Sequence, residues 1–468
     1  MISVLWLRQH EDNVTNRYQR ARMTDTFSLL FVAICSIVLL TYLVVVRKVH
    51  AFIAILVAAA FVGLGTGMQA ADVLASMQSG MGNTLGFVAT IVGLGAMFGQ
   101  FLEESGGIDR LSQTINNKFG DKNSQWAVVL TGFLVAIPVF FEVGLIILMP
   151  LIYSLAKKSG KSLIYYGIPL TAGLAVTHAF IPPTPGPVAV ASILGADIGL
   201  VILFGFIVGI PCACLAGPIY ATFLAKRLHV PVPNHIIEAS HKKPMELPSF
   251  GSVAALLTFP LVAILVGTLA KFMLSEGVLK EALLFIGHPF IALTIATIAC
   301  FKVLGKKQGL SSEQIRNIAS RGLEPVALVI LVTGAGGMFK QVLIDSGAGQ
   351  AFADVVALSP LPPLAAGFLI AISVRIIQGS ATVAMLTAAG LMGPVVQELA
   401  FSPSVLALMT IAIAAGATAM SHVNDTGFWI VNRYFDISVK DTFVSWTCMA
   451  TLIGFIGLFL VLVLGLFV

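Results

Sequence analysis

Ser421-His422-Val423-Asn424-Asp425-Thr426-Gly427-Phe428-Trp429 decides how this chain is read. An apolar, small-residue run from Val405 to Met420 precedes it. Trp429, Ile430 and Val431 follow, and Arg433 closes the segment. A polar cluster with one formal charge thus sits inside a segment otherwise suited to cross a bilayer. Each unsatisfied polar group in hydrocarbon costs several kcal/mol, so such clusters persist where they line a cavity or bind something. The stretch therefore reads as an unwound helix centre that holds a substrate or ion. The competing reading is a helix–loop junction at the membrane surface, where Asn, Asp and Gly need no special reason.

The rest of the chain favours the first reading. Of 468 residues, 57% are hydrophobic and 10% charged, with mean hydropathy +0.96, the composition of an all-α polytopic membrane protein. The five cysteines lie in apolar runs. HExxH, CxxC and GxSxG are absent, so neither an enzyme, a metal site nor a cofactor is expected, and nothing suggests a nucleic-acid partner.

Apolar runs give ten expected crossings: 27–46, 49–67, 84–102, 163–198 (broken), 199–224, 251–273, 289–301, 325–343, 405–431 (broken) and 443–467. Residues 68–82 read as an amphipathic connector. Two further runs, 125–155 and 364–396, have flanks of like character on both sides. They read as re-entrant hairpins with tips at Pro138–Gly144 and Gln378–Thr382, where Pro, Gly and polar residues suit a turn better than a helix centre. With both termini outside, nineteen of the 27 Lys and Arg fall on the cytoplasmic side, as the positive-inside rule requires. The polar extension 1–22, with four Arg, breaks that bias, which raises Met23 as an alternative start.

Gly95-Ala96-Met97-Phe98-Gly99-Gln100-Phe101-Leu102-Glu103-Glu104-Ser105-Gly106 matches Gly336-Gly337-Met338-Phe339-Lys340-Gln341-Val342-Leu343-Ile344-Asp345-Ser346-Gly347 at seven of twelve positions. The hairpin tips recur at a similar offset, and so do the two breaks, Pro182–Pro187 and His422–Gly427. Five crossings per copy make the second copy inverted. The chain divides into a first repeat over 23–225, a cytoplasmic linker over 226–250 and a second repeat over 251–468, each with one hairpin and one broken helix.

Such repeats place a site between the halves, where half-helix N-termini and free backbone N–H groups favour anions. Arg375, three residues before the second tip, can fork onto a carboxylate. Gln378, Ser380, Thr382, Ser421, Asn424, Thr426, Thr177 and Thr184 offer the hydroxyls and amides a polyol needs, with Gly379 and Gly186 at the turns. Glu142 and Asp425 are each either a proton carrier or a helix cap. Glu142, beside apolar Phe140 and Phe141, is read as the carrier, and Asp425 as a structural or substrate-binding group. Asp425, His178 and His422 stay as further proton-coupling candidates.

Phe140-Phe141-Glu142-Val143-Gly144, His178 with the proline break, Arg375-Ile376-Ile377-Gln378-Gly379-Ser380-Ala381-Thr382-Val383-Ala384 and the opening nonapeptide resemble the gluconate permease (gluconate:proton symporter) family over essentially all of 23–468. The resemblance implies uptake of gluconate or a related sugar acid with protons through the bacterial inner membrane, by elevator-type motion. The expected partners are a small anionic substrate, protons, the lipid bilayer and a second copy in a homodimer. A branch of the family carries D-serine, so another small carboxylate, proton- or sodium-coupled, is the nearest alternative. A channel is the alternative of another class, and two occluding hairpins argue against it. Many members carry His where this chain has Thr184, so a role for that His does not transfer.

Overall fold

A computed structural model describes residues 27–120, 123–233, 247–306 and 309–468. The extension 1–22 and the centre of the linker lie outside the described residues. Those described form helices and turns with no strand. In hydrocarbon a helix satisfies its backbone groups within one segment, which explains an all-helical architecture in so apolar a chain.

The first set of helices runs α1 (Phe27–Val44), α2 (Ala51–Gly65), α3 (Ala70–Glu104), α4 (Gly107–Phe119), α5 (Ser124–Val135), α6 (Phe141–Ser159), α7 (Leu163–Phe180), α8 (Pro185–Leu194) and α9 (Ile198–Ala225). The second runs α10 (Phe250–Met273), α11 (Val278–Gly287), α12 (Pro289–Gly305), α13 (Ser312–Asp345), α14 (Ala348–Leu358), α15 (Pro363–Gln378), α16 (Ala381–Glu398), α17 (Pro403–Thr418), α18 (Thr426–Phe435) and α19 (Val439–Leu464). From α3 onward each element of the first set has a counterpart in the second, in the same order.

Among the described residues seven segments are long and apolar enough to cross a membrane, and the pair α11–α12, bent by 61°, makes an eighth. The other two expected crossings fall on α2, of 15 residues, and on the broken pair α17–α18. Helix α5 has 12 residues, about 18 Å at 1.5 Å per residue, too short for a core about 30 Å thick. A break over residues 136–140 separates it from α6.

Three boundaries differ from expectation. The connector expected over 68–82 is the start of α3, one 35-residue helix. Helix α13 starts at Ser312 rather than Pro325, because Ser311 and Gln314 form a reciprocal capping box. Helix α11 had no expected counterpart; Lys280 and Glu281 obscure its apolar run.

Helices α3 and α13 pack antiparallel. A Cβ on Gly80 would stand 2.4 Å from the Gly337 carbonyl oxygen, and one on Gly322 2.8 Å from that of Ala96. Glycine permits this approach, as small residues do wherever membrane helices touch closely. In the most apolar 18-residue stretch of Leu163–Leu194, 89% of the residues are buried, against 17% in α1, so the first broken helix forms the centre and α1 the periphery.

Candidate functional site

Both hairpins and both breaks meet at one cavity of about 240 Å³. Its wall takes Phe141 and Glu142 from the start of α6, and Ala175, His178 and Ala179 from the end of α7. Gly186 comes from the start of α8. The second hairpin supplies Arg375, the run from Gln378 to Thr382, and Met385; the second break supplies Thr418 and the run from Asn424 to Gly427. Trp446 completes it from α19.

Local chemistry explains why helices begin here. Pro185 occupies the first position of α8, where its missing N–H costs nothing; Thr184 precedes it, its hydroxyl donating back to the Ile181 carbonyl at 2.6 Å. The Ser380 hydroxyl accepts from the Val383 amide at 3.3 Å at the head of α16. The Asp425 carboxylate accepts from the Gly427 amide at 3.3 Å at the head of α18. Four helices, α6, α8, α16 and α18, thus present their first turns to one space.

The second tip is stapled to the second break. Gly379 lies at φ +80°, and a Cβ there would come within 2.2 Å of the Asn424 carbonyl oxygen, so both conformation and space demand glycine. The Asn424 amide donates to the Ile376 carbonyl at 2.9 Å, and His422 Nε2 lies 3.0 Å from the same oxygen. Arg375 Nη2 donates to the Asp425 carboxylate and Nη1 to the Gly379 carbonyl. The Ser421 hydroxyl donates to the same Asp425 oxygen and accepts from Trp446 Nε1 at 2.7 Å.

The expected site residues divide clearly. Glu142, His178, Gly186, Arg375, Gln378, Gly379, Ser380, Thr382, Asn424, Asp425 and Thr426 line the cavity; Thr177, Thr184, Ser421 and His422 do not. Thr184 is turned to the Ile181 carbonyl, Ser421 stands behind Asp425, and His422 holds Ile376. Thr177 is fully buried with an unpartnered hydroxyl. Arg375 is already paired, rather than held free for an anion. Trp446 and Phe141, rings 5.0 Å apart, were not anticipated; a tryptophan within an apolar run gives no signal that separates it from ordinary packing.

Buried side-chain atoms without a hydrogen-bond partner gather here: Arg375 Nε, His178 Nδ1, and both Gln378 Nε2 and Oε1. The Phe140 ring meets His178 edge-on at 5.9 Å. The formal charges on the wall are one Arg and two carboxylates, Glu142 and Asp425.

A family model described as GntP family permease matches residues 27–467. The chain is 39% identical to a gluconate permease of Pseudomonas aeruginosa, covering 95% of this chain and 99% of that one. It is 39% identical to a low-affinity gluconate transporter of Escherichia coli (92% and 97%) and 38% identical to a Gnt-II system L-idonate transporter of that organism (93% and 99%). Among solved structures, the YdaH transporter of Alcanivorax borkumensis superposes with TM-score 0.65 at 15% identity, over 89% of this chain and 98% of that one. MtrF of Neisseria gonorrhoeae gives 0.62 at 14%, over 87% and 93%. At those identities the two structures speak to the fold alone.

Proposed function

The chain belongs to the GntP permease family, and we propose on that footing that it imports gluconate or a related sugar acid together with protons. It is a multi-pass inner-membrane permease, not an enzyme. The observation that carries the substrate reading is the convergence of four half-helix N-termini on one cavity. Each N-terminus carries about half a positive elementary charge and free backbone donors. An acid's carboxylate is the natural ligand, and Gln378, Thr382 and Thr426 are suited to its hydroxyls.

Charge counting supports proton coupling. Asp425 already balances Arg375, which leaves Glu142 uncompensated beside the incoming anion. Two like charges about 4 Å apart repel by about 4 kcal/mol at an effective dielectric constant of 20. A proton on Glu142 removes that repulsion, so proton and substrate each favour binding of the other. The same proton offsets the roughly 2.3 kcal/mol per 100 mV that opposes import of an anion into a negative-inside cell.

The antiparallel pairing of α3 with α13 supports two inverted repeats, because equivalent helices of the two copies run in opposite directions. Elevator motion and a homodimer belong to the same proposal.

The test is Glu142→Gln in proteoliposomes. The variant should exchange gluconate across the membrane yet fail to accumulate it under an inward proton gradient. Accumulation at the wild-type level rules Glu142 out as the carrier.

A further inference from the structure

We propose that Gln378 reads the substrate's hydroxyl groups and so decides which acids the cavity accepts; the assignment rests on the sugar-acid reading above. Both polar atoms of its side chain are buried and without a partner on the cavity wall. Leaving a buried amide unbonded is costly, so such a group calls for a ligand.

Three of the polar side chains beside it already have a partner. The Ser380 hydroxyl is held by the Val383 amide, the Thr418 hydroxyl donates to the Ala414 carbonyl, and the Asn424 amide nitrogen donates to Ile376. Gln378 therefore holds an amide with donor and acceptor both open.

That pair of openings selects the ligand's chemistry. A carboxylate only accepts, so it could satisfy Nε2 but would face Oε1 with like partial charge. A hydroxyl both donates and accepts and can satisfy either atom. Position agrees. Gln378 is the last residue of α15, at the end of a helix dipole that repels anions, whereas the four first turns attract them. The substrate's carboxylate then faces the first turns, and its hydroxylated carbons face Gln378. The tip beneath the amide is fixed by Gly379 against Asn424 and by Arg375 on Asp425.

The experiment measures binding to the purified full-length protein by calorimetry, using gluconate and its five singly deoxygenated analogues at carbons 2 to 6. In the wild type at least one analogue should bind about tenfold or more weakly than gluconate, since it leaves the amide unpaired. In Gln378→Met, of similar shape without the amide, gluconate should weaken to match that analogue, and the discrimination should vanish. A wild-type protein that binds every analogue like gluconate overturns the assignment, whether or not the variant folds. So does a folded Gln378→Met that keeps the wild-type preference. A wild-type protein that binds none of the acids overturns the sugar-acid reading itself.

Discussion

Asp425→Ala should destabilise the protein by about 3–5 kcal/mol, because it strands the Arg375 guanidinium in the interior. The side chains of the pair are only 4% and 14% exposed, so solvent screens them little. After the change Arg375 keeps the Gly379 carbonyl alone, with Nε already lacking a partner. Arg375→Met should cost a similar amount by stranding the carboxylate, which would retain Ser421 and the Gly427 amide. Removing both charges leaves neither stranded, so the double variant should be less destabilised than the sum of the singles, by about 3 kcal/mol or more. Equilibrium unfolding in mixed micelles, run as a double-mutant cycle, measures the difference. A substrate anion can also replace the lost carboxylate. Gluconate at a hundred times its Kd contributes about 2.7 kcal/mol to any folded state that binds it, and in Asp425→Ala it should bind more tightly and rescue more at a given concentration. Losses that add to within about 0.5 kcal/mol would refute the pairing.

Two further outcomes follow from contacts elsewhere. Gly80→Ala should cost about 1–3 kcal/mol by pressing a methyl on the Gly337 carbonyl, whereas Gly82→Ala, which meets no atom within 4 Å, should be neutral or better in the same unfolding assay; equal effects would sink the close α3–α13 contact. Burial pushes the Asp197 carboxyl up, but hydrogen bonds from Lys271, the Leu200 amide and Thr268, with the charge on Lys271, hold it below the ordinary value. Its stabilising contribution is therefore full above the unfolded pKa of about 3.9 and lost as pH falls below it; Asp197→Asn should flatten stability against pH in that acid window, and an unchanged acid slope would count against the network.

The breaks and tips were legible because hydrocarbon tolerates few polar or prolyl residues, so Pro182–Pro187, Gln378–Thr382 and the run from Ser421 to Gly427 stand out without any structure. What pairs with what was not. Arg375 and Asp425 are fifty residues apart in the chain, and nothing in either motif reveals that the charge expected to greet an anion is already balanced. Ser421 and Asn424 belong to one motif, yet one stands behind Asp425 and the other lines the cavity, a division set by where the turn points its side chains. The early start of α13 escaped because Glu313 and Arg316 look like loop residues, although Ser311 and Gln314 were a readable cap.

Position 184 shows how the two levels of reading bear on function. The resemblance to the gluconate permease family puts a histidine there in many members, which left the proton route of this chain open. In the structure Thr184 is 5% exposed, donates its hydroxyl to the Ile181 carbonyl just before α8 and stays off the cavity wall. With Thr184 off that wall, the ionisable side chains facing the cavity are Glu142, His178, Arg375 and Asp425. The charge of Arg375 on that wall is already balanced by Asp425. On the proposed coupling, the proton that accompanies an entering anion therefore sits on Glu142, and Thr184 takes no part in that count.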